Sequence, residues 1–271
     1  MRNARLVPIL AALLLYSPNP ALAWGREGHQ IVALIAAGEL TLAAKEHVTD
    51  LLGGPDATFT MERDSTWADE IRYSRRDTGP WHYVDIEIDS NGYNAARDCP
   101  SNDCVVGQIE RDIRIVGDRS LAKPVRAEAL KFLLHFVADE TQPLHAADNL
   151  DRGGNEVRVI MNGDRTNLHH VWDTTVVEAL GYDPATVAAR LSATITPAEK
   201  VAWTSGTPVS WANQSWTIAK QDIYADLPGS GGTSAPMVLP SDYAQNKSAI
   251  AAEQLERAGV RLGAILNAAF K

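Results

Sequence analysis

Residues 131 to 149 read KFLLHFVADETQPLHAADN, and this apolar run carries His135 and Asp139 four positions apart. On a helix, residues at i and i+4 share a face, so imidazole and carboxylate stand side by side. Phe132, Leu133, Leu134, Phe136 and Val137 surround them, so that face is at least partly buried. Polar groups taken out of water need partners, here either a mutual hydrogen bond or a metal ion. Whatever fold this chain adopts must therefore accept an imidazole and a carboxylate in or beside an apolar core. The same spacing recurs at His169 and Asp173 in NLHHVWD. His170 projects about 100° from its neighbour on a helix and reads as a surface or supporting residue. His145 lies just past Pro143, beyond the expected helix end, where it can turn back towards the same place.

Apolar periodicity and breakers predict a mainly α single domain with a small β-hairpin. Helices are expected over 27–38, 41–52 (ending at Gly53-Gly54-Pro55) and 65–75, the last with a Ser/Thr start signal. Further helices are expected near 105–118, 124–139, 168–180, 184–193, 206–222 and 239–269. WHYVDIEI, 81–88, and NEVRVIM, 155–161, alternate like strands and are expected to pair. A Gly/Ser/Pro stretch, 228–236, reads as a surface loop before the long Ala-rich final helix.

The first 23 residues read as a signal peptide. Arg2 and Arg5 precede the apolar stretch LVPILAALLLY, and Ala21-Leu22-Ala23 is a small-x-small cleavage site. The stretch is too short to span a bilayer comfortably, and no later segment is long and apolar enough, so the chain is expected to be exported to a periplasm or the medium, with no membrane association. Removing Arg2 and Arg5 takes the formal net charge from −9 to −11. That balance is a poor match for a broad basic face holding duplex DNA, so any nucleic-acid contact is expected to be local, where bound metal ions could supply positive charge. In an exported chain, Cys99 and Cys104 of DCPSNDC read as a short-loop disulfide. A two-thiolate metal site is the alternative, and the spacing argues against it.

Cleavage after Ala23 would leave Trp24 with a free α-amine, which can chelate a metal together with its own carbonyl. His29 follows five residues on, either as a ligand or as the packed start of a helix. Asp69 sits in a helix as a ligand or as a solvated charge. His82 lies between aromatics as a ligand or as a strand surface residue. With His135, Asp139, His145, His169 and Asp173 this makes about nine possible ligands, too many for one tetrahedral zinc and suited to three. Imidazole and carboxylate without thiolate suit catalytic rather than structural zinc. Neighbouring ions need a bridge, and Asp139 can be one. Such a cluster suits phosphoryl chemistry.

The set Trp24-Gly-x-x-Gly-His29, Trp67-Ala-Asp69, Trp81-His82-Tyr83, His135-x3-Asp139, Pro143-Leu144-His145, Asp151-x-Gly-Gly-Asn155 and Asn167-Leu168-His169-x2-Trp172-Asp173 resembles the zinc-dependent single-strand nucleases. This is the S-one/P-one family of fungal nucleases, plant bifunctional nucleases and bacterial 3′-nucleotidase/nucleases. The resemblance implies a helical fold shared with zinc phospholipase C, spanning 24–271, with three zincs at the bottom of a cleft. On the family pattern Asp69, His82, His135 and Asp139 hold one zinc, and His145, His169 and Asp173 a second. Trp24 and His29 hold a third, with Asp139 bridging. Asp69 would also orient the attacking water. The resemblance implies a single-strand-preferring endonuclease acting on DNA and RNA, leaving 5′-phosphates and also acting on 3′-nucleotides, as a monomer with no obligate protein partner.

Arg72, three residues after Asp69, falls where the family contacts phosphate; a solvated helix charge is the alternative. Tyr83 and Asp85 fall where the family stacks and hydrogen-bonds a nucleobase, and alternation puts both on a face that His82 does not share. Tyr83 alternatively packs in the core. Asn155 is a candidate hydrogen-bond donor to base or phosphate. Trp67, Trp81 and Trp172, each beside a ligand candidate, read as packing that stiffens the cluster. A secreted zinc phospholipase C is the enzymatic alternative. The short Trp24-to-His29 interval, Asp rather than Glu at 173 and the absence of a lipid-binding domain argue against it. A zinc-buffering protein, with loosely clustered histidines and no shaped cleft, is the non-enzymatic one.

Overall fold

The computed structural model describes residues 24–227 and 235–271. The expected signal segment, its cleavage point and most of the 228–236 loop lie outside the described residues. The helices are α1 (Arg26–Glu39), α2 (Leu42–Leu52), α3 (Ala57–Asp64), α4 (Trp67–Ile71), α5 (Ala95–Asp98), α6 (Val105–Gly117), α7 (Lys123–Thr141), α8 (Leu168–His170), α9 (Val176–Glu178), α10 (Pro184–Ser192), α11 (Pro197–Thr204), α12 (Pro208–Ile218) and α13 (Tyr243–Ala269). A small sheet in the order β2-β1-β3 is formed by β1 (Arg158–Met161), β2 (Asp164–Asn167) and β3 (Met237–Val238). The fold is mainly α, as expected. Among the described residues, no helix is long and apolar enough to cross a membrane.

Helix α7 runs through the middle. From Ala129 to Thr141 nearly every residue is buried, whatever face it occupies. A helix apolar on all sides has no solvent face and becomes the core itself. Around it stand α1, α2, α3, α4, α6, α12 and α13. Each fully buried Phe or Leu of α7 contributes about 1.5–3 kcal/mol, which ties the position of His135 and Asp139 to the stability of the whole domain.

Helix α13 lies along α1 in the same direction. Leu255 meets Gly28, Gly259 meets Val32 and Ile35, Gly263 meets Ala36 and Glu39, and Asn267 bonds both the Glu39 carbonyl and the Thr41 amide. The four-residue step in both helices repeats one turn at a time. The glycines let the backbones approach: a Cβ at Gly259 would lie 2.5 Å from Ile35 Cγ2, and one at Gly263 would lie 2.7 Å from Glu39 Cβ.

Several elements depart from expectation. Residues 65–75 are not one helix: α3 precedes them, capped by Asp56, whose side chain accepts from the Phe59 amide. Ser65 follows the end of α3, and only Trp67–Ile71 is helical beyond it. Residues 81–88 do not form a strand of the sheet, nor do they pair with 155–161. A 3₁₀ turn, Arg76–His82, runs through Pro80. Beyond it the chain is extended, held by Val84 N–H to the His145 carbonyl, Asp148 N–H to Ile86 and Ile88 N–H to Asp148. The alternation itself is real: His82, Val84, Ile86 and Ile88 are buried, and Tyr83, Asp85 and Glu87 are exposed. The hairpin instead joins β1 to β2 through Asn162-Gly163, both at positive φ (54° and 93°), the residue pair such a turn requires. Helix α11 also escaped the periodicity reading, although Thr196 and Glu199 form a complete capping box around Pro197 at the first helical position. The helix expected over 206–222 starts at Pro208 and opens into a π-helical turn at Ala219–Tyr224.

Gly259→Ala is expected to destabilise by about 1–3 kcal/mol through overpacking against Ile35, lowering Tm by roughly 2–10 °C. Gly38→Ala, where nothing lies within 4 Å of the new Cβ, is expected to raise stability by up to about 1 kcal/mol. Thermal melts of both variants check the pairing; equal effects would refute the close-approach role.

Candidate metal centre and active site

Helix α7 carries His135 and Asp139 to one end of the core, both fully buried, with Nε2 and Oδ2 3.3 Å apart. The segments around α7 bring the remaining candidates to the same end. His29 comes from the first turns of α1, Asp69 from α4 and His82 from the end of the 3₁₀ turn. His145 comes from a 3₁₀ turn (Pro143–His145), His169 from α8 and Asp173 from a π-helical turn (Val171–Thr175). All eight side chains are buried or nearly so. Asp139 is the hub, within 3.4 Å of His29, 3.0 Å of His82, 3.3 Å of His135 and 3.9 Å of His145. Three sets, His29–Asp69–His135, His82–His135–Asp139 and His145–His169–Asp173, each bring one ligand atom per residue within 4.8 Å of one another.

The hydrogen bonds fix how the rings face. His135 Nδ1 donates to the Ser65 carbonyl at 2.8 Å, His145 Nδ1 to the His82 carbonyl at 2.7 Å and His169 Nδ1 to the Gly153 carbonyl at 2.6 Å. A carbonyl only accepts, so Nδ1 of each ring holds the proton and Nε2 is left with a bare lone pair. Burial, the largest influence on each, pushes His29, His82 and His145 well below the ordinary imidazole value, lowers His135 and takes His169 to about 4. Neutral imidazole is the ligand form. Burial likewise pushes the Asp139 and Asp173 carboxyls well above their usual range.

The consequence is sharpest at His145 and His169. Their Nε2 atoms face each other at 3.0 Å, with both protons committed on the far side. Two lone pairs at that distance repel unless a cation lies between them. Nearby, His29 Nδ1 and Nε2, His82 Nε2, His135 Nε2, Asp139 Oδ1 and Asp173 Oδ2 are buried without a hydrogen-bond partner. Buried polar atoms are almost always satisfied, and these are atoms that a bound cation would satisfy. Imidazoles with carboxylates and no thiolate fit zinc.

Trp24 is fully buried, and the Gly25 N–H donates to the Asp173 carbonyl at 2.7 Å, which sets residue 24 against the cluster. Arg72 Nη1 reaches Asp69 Oδ1 at 3.2 Å, as the i+3 spacing implies. Tyr83 is 37% exposed, which removes the core-packing alternative. Asp85 stands on the same face; surrounding protein first, and Asp148 second, push its carboxyl up to about 6 against the pull of Arg152. Asn155 Nδ2 donates to the Arg152 carbonyl within its own turn. His170 is exposed. Trp67 and Trp81 set their ring edges on Phe132, and Trp172 is fully buried with Nε1 donating to Tyr243, so all three pack. Cys99 and Cys104 are disulfide-bonded. Next to the bridge, the Val105 N–H donates to the Tyr83 carbonyl.

The sequence reading missed Gln142. Its Nε2 donates to Asp173 Oδ1 at 2.6 Å and its Oε1 accepts from the Leu144 N–H at 2.6 Å, so it links the α7 end to the π-helical turn. Its place between Asp139 and His145 was the available signal. The Ser65 and Gly153 carbonyls were missed because carbonyl roles leave no mark on residue type.

Asp139→Asn keeps the volume but turns one oxygen into a donor facing imidazole lone pairs. Elemental analysis is expected to find at least one zinc fewer per chain than in the wild type. Zinc is expected to raise the Tm of the wild type more than that of the variant. Unchanged metal content would refute the hub role.

The S1/P1 Nuclease family profile matches residues 24–271. Nuclease S1 of Aspergillus oryzae is 32% identical over 97% of both chains. Endonuclease 2 of Arabidopsis thaliana is 29% identical over 97% of this chain and 96% of its own. Nuclease P1 of Penicillium citrinum is 34% identical over 58% of this chain and 59% of its own. With the profile match covering the whole described cluster, the chain belongs to the S1/P1 nuclease family.

Proposed function

We propose that this hydrolytic nuclease is an exported, monomeric, three-zinc enzyme. It cleaves single-stranded DNA and RNA to 5′-phosphorylated products and removes phosphate from 3′-nucleotides. The observation that carries the metal reading is the pair of unprotonated nitrogens of His145 and His169 facing at 3.0 Å. Asp69, His82, His135 and Asp139 would hold one zinc, His145, His169 and Asp173 a second, and His29 with the Trp24 amine and carbonyl a third, with Asp139 shared. Zinc held there would supply a water acidified to a pKa of about 7 and charge to offset the leaving oxygen.

The chain's own residues position the rest. The Arg72 guanidinium, braced on Asp69, takes a phosphate oxygen in its fork. Asp69 orients the attacking water and accepts its proton. Tyr83 offers a ring face to a base splayed from a single strand, a contact worth about 1–3 kcal/mol, and Asp85 accepts from the base edge. Asn155 hydrogen-bonds the base or phosphate. A base paired in a duplex cannot reach Tyr83 without unstacking, which gives the single-strand preference. The water oxygen ends on phosphorus, the P–O3′ bond breaks, and the proton passes to O3′.

Residues 1–23 would be the signal peptide, and their removal would free the Trp24 amine. Zinc-loaded protein is expected to cut single-stranded oligonucleotides much faster than duplex, to leave 5′-phosphates, and to begin at Trp24 by N-terminal sequencing. A form retaining Met before Trp24 is expected to lose zinc and turnover. Cleavage of phosphatidylcholine alone would instead establish a phospholipase.

Below about 6 the Asp85 carboxyl is protonated and loses acceptor capacity, so KM for dinucleotides whose base presents N–H donors is expected to rise as pH falls through that value. Asp148, Arg152 and Asp98 are the charges that act on it. Asp85→Asn is expected to abolish that pH dependence of KM; a profile identical to wild type would rule out the role.

A further inference from the structure

His169 owes its orientation to the Gly153 carbonyl, and that carbonyl sits in a strained loop. Leu150, Arg152, Gly153 and Gly154 all have positive φ, of 58°, 58°, 60° and 81°. A Cβ at Gly153 would lie 2.4 Å from the Leu144 carbonyl oxygen, so this backbone is wedged close to the turn bearing His145. Non-glycine residues in the left-handed region persist only where surrounding structure imposes it.

Two carboxylates impose it. Asp148 Oδ1 accepts from the Asp151 and Gly153 amides at 3.0 and 3.3 Å. Asp151 Oδ1 accepts from the Gly154 amide at 2.8 Å and from the Tyr224 hydroxyl at 2.8 Å. Tyr224 ends the π-helical turn that follows α12. That wide turn advances the register of the helix, and π-turns of this kind are frequent at functional sites. Burial, followed by the charge of Asp151, pushes the Tyr224 phenol up, so it stays a donor throughout the pH range of the folded protein. The loop closes on the site through the His169 amide, which donates to the Gly154 carbonyl at 3.3 Å.

We propose that Tyr224 and Asp151 are positioning residues for the His145–His169–Asp173 metal set. The phenol locks Asp151, Asp151 locks the Gly153–Gly154 turn, and the Gly153 carbonyl fixes the tautomer and ring position of His169. The consequence for metal rests on the functional reading above; the consequence for His169 does not. Groups that orient metal-binding imidazoles typically contribute ten- to a hundredfold in affinity.

Tyr224→Phe removes one oxygen from a half-buried ring, and Asp151→Asn provides a second variant. In chelator competition, zinc affinity of one class of site is expected to fall about threefold to tenfold in Tyr224→Phe and about ten- to a hundredfold in Asp151→Asn, with the other sites unchanged. In metal-free protein with nitrogen-labelled histidine, His169 is expected to be a pure Nδ1–H tautomer in the wild type and a mixture in both variants. The Gly154 amide is expected to exchange faster. A lowered Tm with unchanged His169 tautomer and zinc affinities would show a merely structural tie and overturn the proposal. A wild type that takes up no zinc at this set would sink the three-zinc reading, and the His169 tautomer would still decide the positioning role.

Discussion

Eight imidazole and carboxylate side chains converge where the protein is otherwise apolar, and the rest of the structure serves that convergence. A buried carboxylate costs several kcal/mol when it stays ionised, and Asp139 and Asp173 are both shielded from solvent. Surrounded only by protein, they and the histidines are driven towards their neutral forms. Metal-binding free energies on the order of 10 kcal/mol offset such burial. The same desolvation that makes the cluster unfavourable by itself keeps its imidazoles neutral and available to a cation.

The framework answers a demand for rigidity. Helix α7 supplies two members of the cluster, and its surrounding helices bury it. The close contact of α1 with α13 fixes His29 from the other side. Backbone carbonyls of Ser65, His82 and Gly153 then choose the tautomer of three rings. These carbonyls come from a helix end, a 3₁₀ turn and a left-handed loop, where the backbone is released from regular hydrogen bonding and has oxygens to offer. Irregular segments around the site thus have a chemical use: they provide acceptors that a helix interior would have consumed.

The residues proposed to meet the substrate occupy the opposite environment. Tyr83 and Asp85 project outward from an extended segment whose alternate residues Val84, Ile86 and Ile88 anchor it in the core. One segment therefore carries a buried cluster member, His82, and two exposed groups within four residues. A formal charge of −11, counted without Arg2 and Arg5, would fit the proposed recognition confined to a small area, with Arg72 beside the cluster rather than a basic surface spread over the molecule.

The sequence by itself determined the helical class and the shared faces of His135 with Asp139, of His169 with Asp173 and of Asp69 with Arg72, whereas it left Tyr83 open between an outward face and the core. Each depends on a spacing of a few residues, and local geometry converts such spacings directly into direction. Tertiary structure alone decided the rest. It turned 81–88 from a sheet strand into an extended arm beside 145–148, because a strand needs a partner and the β1 edge is taken by β2 and β3. It also put His145 against His169, Gln142 on Asp173 and Tyr224 on Asp151. Those contacts join elements whose mutual placement follows from how the helices close around α7, and no local pattern encodes the distance between two residues brought together only by that closure.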